Sequence, residues 1–243
     1  MSSLVPAPPI IELRQYLLRR GKRDELIELF DREFVETQEA LGARVVGQFR
    51  DVDRPNHFVW LRGFVDHETR HDALANFYGG PVWREHGRAA AATMIDSDDV
   101  HQLRAIERLM IRRASDRDRL GDGGAVLILV THRRSHDHDS LIRHHLIPTV
   151  EEVGLRTVGL YTTDPTENTY AALPVRRSNV LVWVAAGENL DAVDDAAEQV
   201  SLARRELARN TATGGLDEVL IDLLRLVPTA RSCLRGSDAF HLA

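Results

Sequence analysis

Glu12, Arg14 and Tyr16 alternate along Ile10 to Leu18, a stretch whose other face is Ile11, Leu13 and Leu17. The period of two is that of a strand, so a carboxylate, a guanidinium and a phenol project from one face. Phe58, Trp60 and Arg62 alternate in the same way within His57 to Phe64, and Gln48 and Arg50 do so within Val45 to Arg50. Arginines beside an acid can hold an oxyanion and move a proton, with Trp60 and Phe58 as walls for a ring. The same residues can also satisfy one another, Glu12 pairing with Arg14 or Arg62 and closing the structure without chemistry.

A second group is Tyr78, Trp83 and His86. Trp83 and His86 are three apart and share a helical face, Gly79 and Gly80 let the chain bend before them, and an imidazole near neutrality is a candidate general base. The run His132-Arg133-Arg134-Ser135-His136-Asp137-His138-Asp139, followed by His144 and His145, invites a metal reading. Its one His-x-x-x-His spacing, His132 to His136, falls not on a helix but between a strand and a helix, where Asp139 serves as an N-cap. The expectation is a solvated loop and no metal.

Several chemistries are excluded by residue type. Lys22 is the single lysine among 31 basic residues, which removes Schiff-base chemistry unless Lys22 carries it. Cys233 is the single cysteine, so there is no intrachain disulfide or cysteine-built zinc site. No glycine-rich phosphate loop follows a strand and no Gly-x-Ser-x-Gly elbow occurs, so no cofactor is indicated. A net charge of −6 argues against a nucleic-acid partner. No apolar run approaches the ~20 residues of a membrane span, and Met1 to Pro9 has no basic stretch leading into an apolar core. These features point to a cytoplasmic protein without membrane contact.

The elements that position these residues occur twice. Thr37 to Phe49 aligns with Thr149 to Tyr161 at an offset of 112, with Thr, Glu, Gly, Arg, Val and Gly in register. Arg19-Arg20 matches Arg133-Arg134 at 114, and Phe58-Val59-Trp60-Leu61 matches Leu181-Val182-Trp183-Val184 at 123. Each copy reads β-α-β-β-α-β. In the first, strand Ile10 to Leu18 precedes a helix from Asp24 stopped by Gly42. Strands Val45 to Arg50 and His57 to Phe64 follow, then a helix capped by Asp66, a segment opened by Pro81, and a short strand Asp99 to Leu103. In the second, strands are Ala125 to Thr131, Leu155 to Thr163, Asn179 to Ala186 and Glu218 to Leu226, with helices Ser140 to Val153, kinked at Pro148, and Leu190 to Asn210. Residues 10–104 and 125–230 are the two repeats and 105–124 the linker.

Ile11-Glu12-Leu13-Arg14-Gln15-Tyr16, Gly21 to Leu26, Leu41-Gly42 and Tyr78 to His86 resemble a NIPSNAP domain. That resemblance implies an α+β fold of tandem ferredoxin-like repeats packed sheet to sheet, a pseudo-dimer of the dimeric α/β-barrel type. The group includes cofactor-independent monooxygenases of aromatic polyketides, cyclases and isomerases, and also proteins of no known activity.

If the apolar strand faces meet the helices, the polar faces line the barrel interior. At offset 114, Glu12, Arg14 and Tyr16 become Val126, Ile128 and Val130, and at offset 123 Arg62 becomes Ala185, which points to one site built on the first repeat. The expected function is a small-molecule enzyme of secondary metabolism acting on an aromatic or polyketide-like substrate, by cofactor-independent oxygenation or by proton-transfer cyclisation or isomerisation. Glu12, Arg14, Tyr16, Arg62 and His86 are its candidate catalytic residues. Arg50, Phe58, Trp60, Tyr78 and Trp83 are its candidate substrate contacts. The alternative is a non-catalytic binding or scaffold protein. Any homodimer would be added through outer surfaces.

Overall fold

The computed structural model describes residues 4–118, 123–132, 140, 142–210 and 220–236. After β1 (Leu4–Pro6), the first repeat runs β2 (Ile10–Leu18), α1 (Arg23–Leu29), a π-helical turn (Phe30–Phe34), α2 (Val35–Ala40), β3 (Arg44–Asp51) and β4 (His57–Phe64). It continues with α3 (His67–Tyr78), α4 (Pro81–Thr93) and β5 (Met94–Glu107). β6 (Met110–Arg112) pairs with β1. The second repeat is β7 (Ala125–His132), a π-helical turn (Ile142–Leu146), α5 (Ile147–Glu152), β8 (Arg156–Thr163), β9 (Val180–Gly187), α6 (Leu190–Asn210) and β10 (Ile221–Pro228).

Local chemistry sets the boundaries. The Asp66 side chain accepts from Thr69 N at 2.7 Å and caps α3, Pro81 opens α4, and Gly42 takes the positive φ of +96° that ends the first helical segment. The π-helical turns lie 112 residues apart, so the duplication reaches the helical defects as well as the strands. Pro148 sits in the first turn of α5, just past its π-helical turn, where its missing N–H is tolerated.

The strands form a closed barrel in the order β10-β3-β4-β2-β5-β8-β9-β7. The first repeat supplies β3-β4-β2-β5 and the second β8-β9-β7-β10, the same order twice, joined at antiparallel seams β5–β8 and β10–β3. Those seams remove every open edge of the two half-sheets. They also explain why β5 is much longer than the expected Asp99 to Leu103: its far end, Leu103 to Glu107, pairs with Thr163 to Leu160 of the other repeat. The span expected as a linker therefore carries the end of β5 and all of β6.

Closure reverses the expected facing of the strands. Ile11 and Leu13, Val59 and Leu61, Val126, Ile128 and Val130, Val182 and Val184, and Leu224 and Leu226 form one apolar cluster drawn from both repeats. Such a cluster can only be the lumen, which an eight-stranded barrel fills with side chains. Glu12, Arg14, Tyr16, Trp60 and Arg62 point the other way, into the layer between sheet and helices. The registers also correct the alignment. Arg14 pairs with Trp60 and Leu129 with Trp183, so the first strands correspond at an offset of 115, and Glu12 and Arg14 match Leu127 and Leu129. The slip of one residue exchanges the two faces. Among the described residues, no helix is long and apolar enough to cross a membrane.

Candidate functional site

β2 and β4 are neighbours, and their register sets Glu12 opposite Arg62. Arg62 Nη2 and Nε donate to Glu12 Oε2 at 2.6 and 3.1 Å, and Arg14 Nη1 donates to the same oxygen at 2.8 Å. Arg70 of α3 closes from the helix side, its Nε donating to Glu12 Oε1 at 2.8 Å. None of the four residues is more than 2% exposed. Burial would raise the Glu12 carboxyl, but the guanidinium groups of Arg62, Arg14 and Arg70 together hold it far below the usual carboxylate range. Both of its oxygens are occupied, so Glu12 is a counter-ion and not a proton shuttle.

One carboxylate faces three guanidinium groups, which leaves a surplus of buried positive charge. Each of the three cations is further engaged by neutral groups, Arg14 by the Tyr16 hydroxyl and the Tyr16 and Trp60 rings. Arg62 Nη1 donates to Gln38 Oε1 at 3.0 Å and its guanidinium lies 5.1 Å from the Trp60 ring, while Arg70 Nη1 donates to Asn168 Oδ1 at 3.0 Å. Arg14 is the one that borders a cavity of about 130 Å³. Tyr16 and Trp60 form its sheet side, and Phe30, Phe34, Gln38, Phe77, Tyr78 and Trp83 come from the helical layer, with Ala91, Met94, Ser97 and Leu173 completing the wall. The size is close to the ~150 Å³ that admits benzene in an engineered apolar cavity.

The π-helical turn delivers Phe30 and Phe34 together, their rings 5.9 Å apart and edge-on, Phe30 against Trp60 at 4.8 Å and Phe34 against Trp83 at 5.6 Å. Gly87 gives Trp83 its place: a Cβ there would stand 2.7 Å from the indole. The polar groups at the wall include donors. Arg14 Nε donates to the Tyr16 hydroxyl at 3.0 Å, and burial raises the Tyr16 pKa against the pull of Arg14, so its phenol keeps a proton to offer. Trp60 Nε1 is buried without a partner. No carboxylate, histidine or cysteine lines the cavity among the described residues.

The second repeat shows what this location becomes without the charges. Leu127, Leu129 and Ala185 pack with Ile142, Leu146 and Trp183 in a continuous apolar cluster, and Trp183 Nε1 donates to Thr157 Oγ1 at 2.9 Å. The equivalent of the Trp60 donor is therefore satisfied within the second repeat.

Of the sequence candidates, Arg14, Tyr16, Trp60, Tyr78 and Trp83 meet at the cavity, and Glu12 and Arg62 stand behind Arg14. Phe58 is wedged between Tyr16 and Phe30, at 6.4 and 5.6 Å, and does not reach the wall. Arg50 is part-exposed and ion-paired with Asp24. His86 lies 3.4 Å from Glu33 and away from the cavity although Trp83 is three residues before it. Arg70, Gln38 and Leu173 went unread. Arg70 carried a signal: it shares a helical stripe with Ala73, Leu74 and Phe77, all buried, where an arginine must find a partner. Residues 133–139 of the histidine-rich run lie outside the described residues. No group of three or more ligating side chains is placed to hold a metal among those described.

Residues 11–107 match the NIPSNAP family model, so the first repeat carries a NIPSNAP domain. A candidate monooxygenase of Fusobacterium nucleatum is similar over 95% of this chain and 96% of its own, with a TM-score of 0.56 at 10% identity. A candidate monooxygenase of Lactobacillus acidophilus is similar over 91% and 94%, with a TM-score of 0.50 at 12% identity. These likenesses show the fold along the whole chain. A NIPSNAP-like domain protein of Burkholderia xenovorans is 30% identical over 36% of this chain and 78% of its own, with a TM-score of 0.34. No curated protein matches the chain.

Proposed function

We propose, taking the NIPSNAP domain of the first repeat as the premise, that the cavity binds the anion of a single-ring acidic aromatic, a phenolate or enolate, and presents it for cofactor-independent oxygenation. The observation that carries this reading is the buried surplus of positive charge: three guanidinium groups share Glu12, and Arg14 borders an aromatic cavity with the Tyr16 hydroxyl at its wall. An anion there completes the charge balance and accepts from Tyr16 and Trp60. Arg14 lowers the pKa of the bound acid, so the ligand ionises by losing its proton to solvent without a protein base. In the oxygenation, a ring C–H of the anion becomes C=O, the second oxygen atom leaves as water, and the substrate supplies all four electrons. The names of the two whole-length structural likenesses make this the reaction class to test first. Proton-transfer cyclisation is less well supported, because no base lines the wall among the described residues. That same feature favours, as the alternative, a non-catalytic receptor for the same anion.

The test uses 4-nitrophenol, whose anion is yellow. Mixed with the protein about one pH unit below its own pKa, the bound dye should show the phenolate band, and Arg14→Met should weaken binding by about 10-fold or more and return the dye to its neutral form. A bound dye that stays neutral in the parent protein would refute the anion site. Oxygen uptake during a screen of single-ring phenols and quinols then separates enzyme from receptor.

A further inference from the structure

β3 and β4 are joined by Val52 to Asn56, whereas β8 and β9 are joined by Asp164 to Asn179. The added chain crosses to the other repeat. Thr169 Oγ1 and Asn168 Oδ1 both accept from Arg70 Nη1, at 3.1 and 3.0 Å, and Asp164 Oδ2 lies 3.0 Å from His67 Nε2. Gln102 Nε2 donates to Thr166 O at 3.0 Å, and Arg176 pairs with Asp99 at 2.6 Å on the return. Between these anchors the chain makes a tight turn: Tyr170 N donates to Asn168 Oδ1 at 3.1 Å, Leu173 N to Tyr170 O at 3.1 Å, and Asn168 Nδ2 to Leu173 O at 2.8 Å. Tyr170 stacks on Tyr78 with centroids 6.1 Å apart and planes 18° from parallel. Leu173 is the lining residue that the second repeat contributes to the cavity.

We propose that this strap is the specificity element of the cavity, with Leu173 setting the size limit at one aromatic ring. The inference rests on the cavity reading above. Asn168 holds the turn on both sides and is itself held by Arg70, so Leu173 is carried on a braced turn rather than a loose loop. A braced side chain at the wall excludes by volume, and a hydrophobic wall discriminates by about 10-fold or more for a group that does not fit. The second repeat, which among the described residues places Leu127, Leu129 and Ala185 where the first has its charges, thereby acts on the site of the first.

Binding of 4-nitrophenol and of the two-ring 4-nitro-1-naphthol to the full chain decides the matter, read by absorbance for the parent, Leu173→Ala and Leu173→Trp, with a thermal melt for each. Leu173→Ala should shift the preference towards the naphthol by about 10-fold, through tighter naphthol binding, and Leu173→Trp should weaken 4-nitrophenol by about 10-fold or more. If the parent binds 4-nitrophenol and the ratio is unchanged in folded Leu173→Ala, or 4-nitrophenol is unaffected in folded Leu173→Trp, the strap does not set specificity while the anion site stands. If the parent does not bind 4-nitrophenol at all, the cavity reading fails and takes the strap's role with it.

Discussion

Replacing Glu12 by glutamine keeps the shape of the side chain and removes the negative charge that Arg14, Arg62 and Arg70 share. Breaking one buried ion pair costs about 3 to 5 kcal/mol, because the surviving charge is left without a partner. Three cations lose their partner here, so the upper half of that range is expected. For a chain of 243 residues, with about 2 to 4 °C per kcal/mol, Tm should fall by roughly 8 to 20 °C, measured by calorimetry near neutral pH. Arg62→Met is the control. It leaves Glu12 with Arg14 and Arg70, relieves one unit of positive surplus and deprives Gln38 of one hydrogen bond, so it should cost only about 1 to 2 kcal/mol. The double variant should melt above Glu12→Gln alone, since one stranded cation has gone. The Glu12 carboxyl is held below its ordinary range, so its contribution is complete above the unfolded pKa and declines only as pH falls beneath it. The gap between parent and Glu12→Gln should therefore be constant from neutral to mildly acid pH and narrow below about pH 4. Equal losses in the two single variants, or a Glu12→Gln protein melting within about 2 °C of the parent, would show that the cluster is not the counter-ion network inferred.

A fragment of residues 1–107 should dimerise or aggregate, since it uncovers the lumen face of Ile11, Leu13, Val59, Leu61 and Leu103 and both seam edges; a monodisperse monomer in light scattering would contradict the closed barrel. Burial pushes the Asp31 carboxyl, on the first π-helical turn, up to about 6. The folded state then holds that proton more tightly than the unfolded chain, so stability is lost as pH rises from about 4 to about 6. Asp31→Asn should melt level with the parent near pH 4 and about 2 to 4 °C higher near pH 7, a gain of about 1 kcal/mol after solvent screening; an equal gain at both would assign the effect to packing.

The duplication, the α+β class and most elements were legible in the sequence, because each rests on local chemistry: period-two strands around Glu12 and Trp60, Asp66 as a cap, Pro81 as a start, Gly42 as a stop. The clustering of Arg14, Tyr16 and Trp60 was legible too, since alternation puts them on one face of neighbouring strands. Which face lies inside was not. A period of two says that the faces differ, and in this barrel both are buried, the apolar one by the other repeat and the charged one by helices that bring Arg70 and Gln38. Arg50 and Arg62 have the same strand spacing and opposite fates, because one lies at a strand end beside Asp24 and the other mid-barrel beside Glu12. Trp83 and His86 share a helical face by spacing, yet only Trp83 reaches the cavity. Leu173 stands far along the chain from every other wall residue. Its place depends on two seams closing a barrel and a strap crossing between repeats, contacts between distant residues that no local pattern encodes.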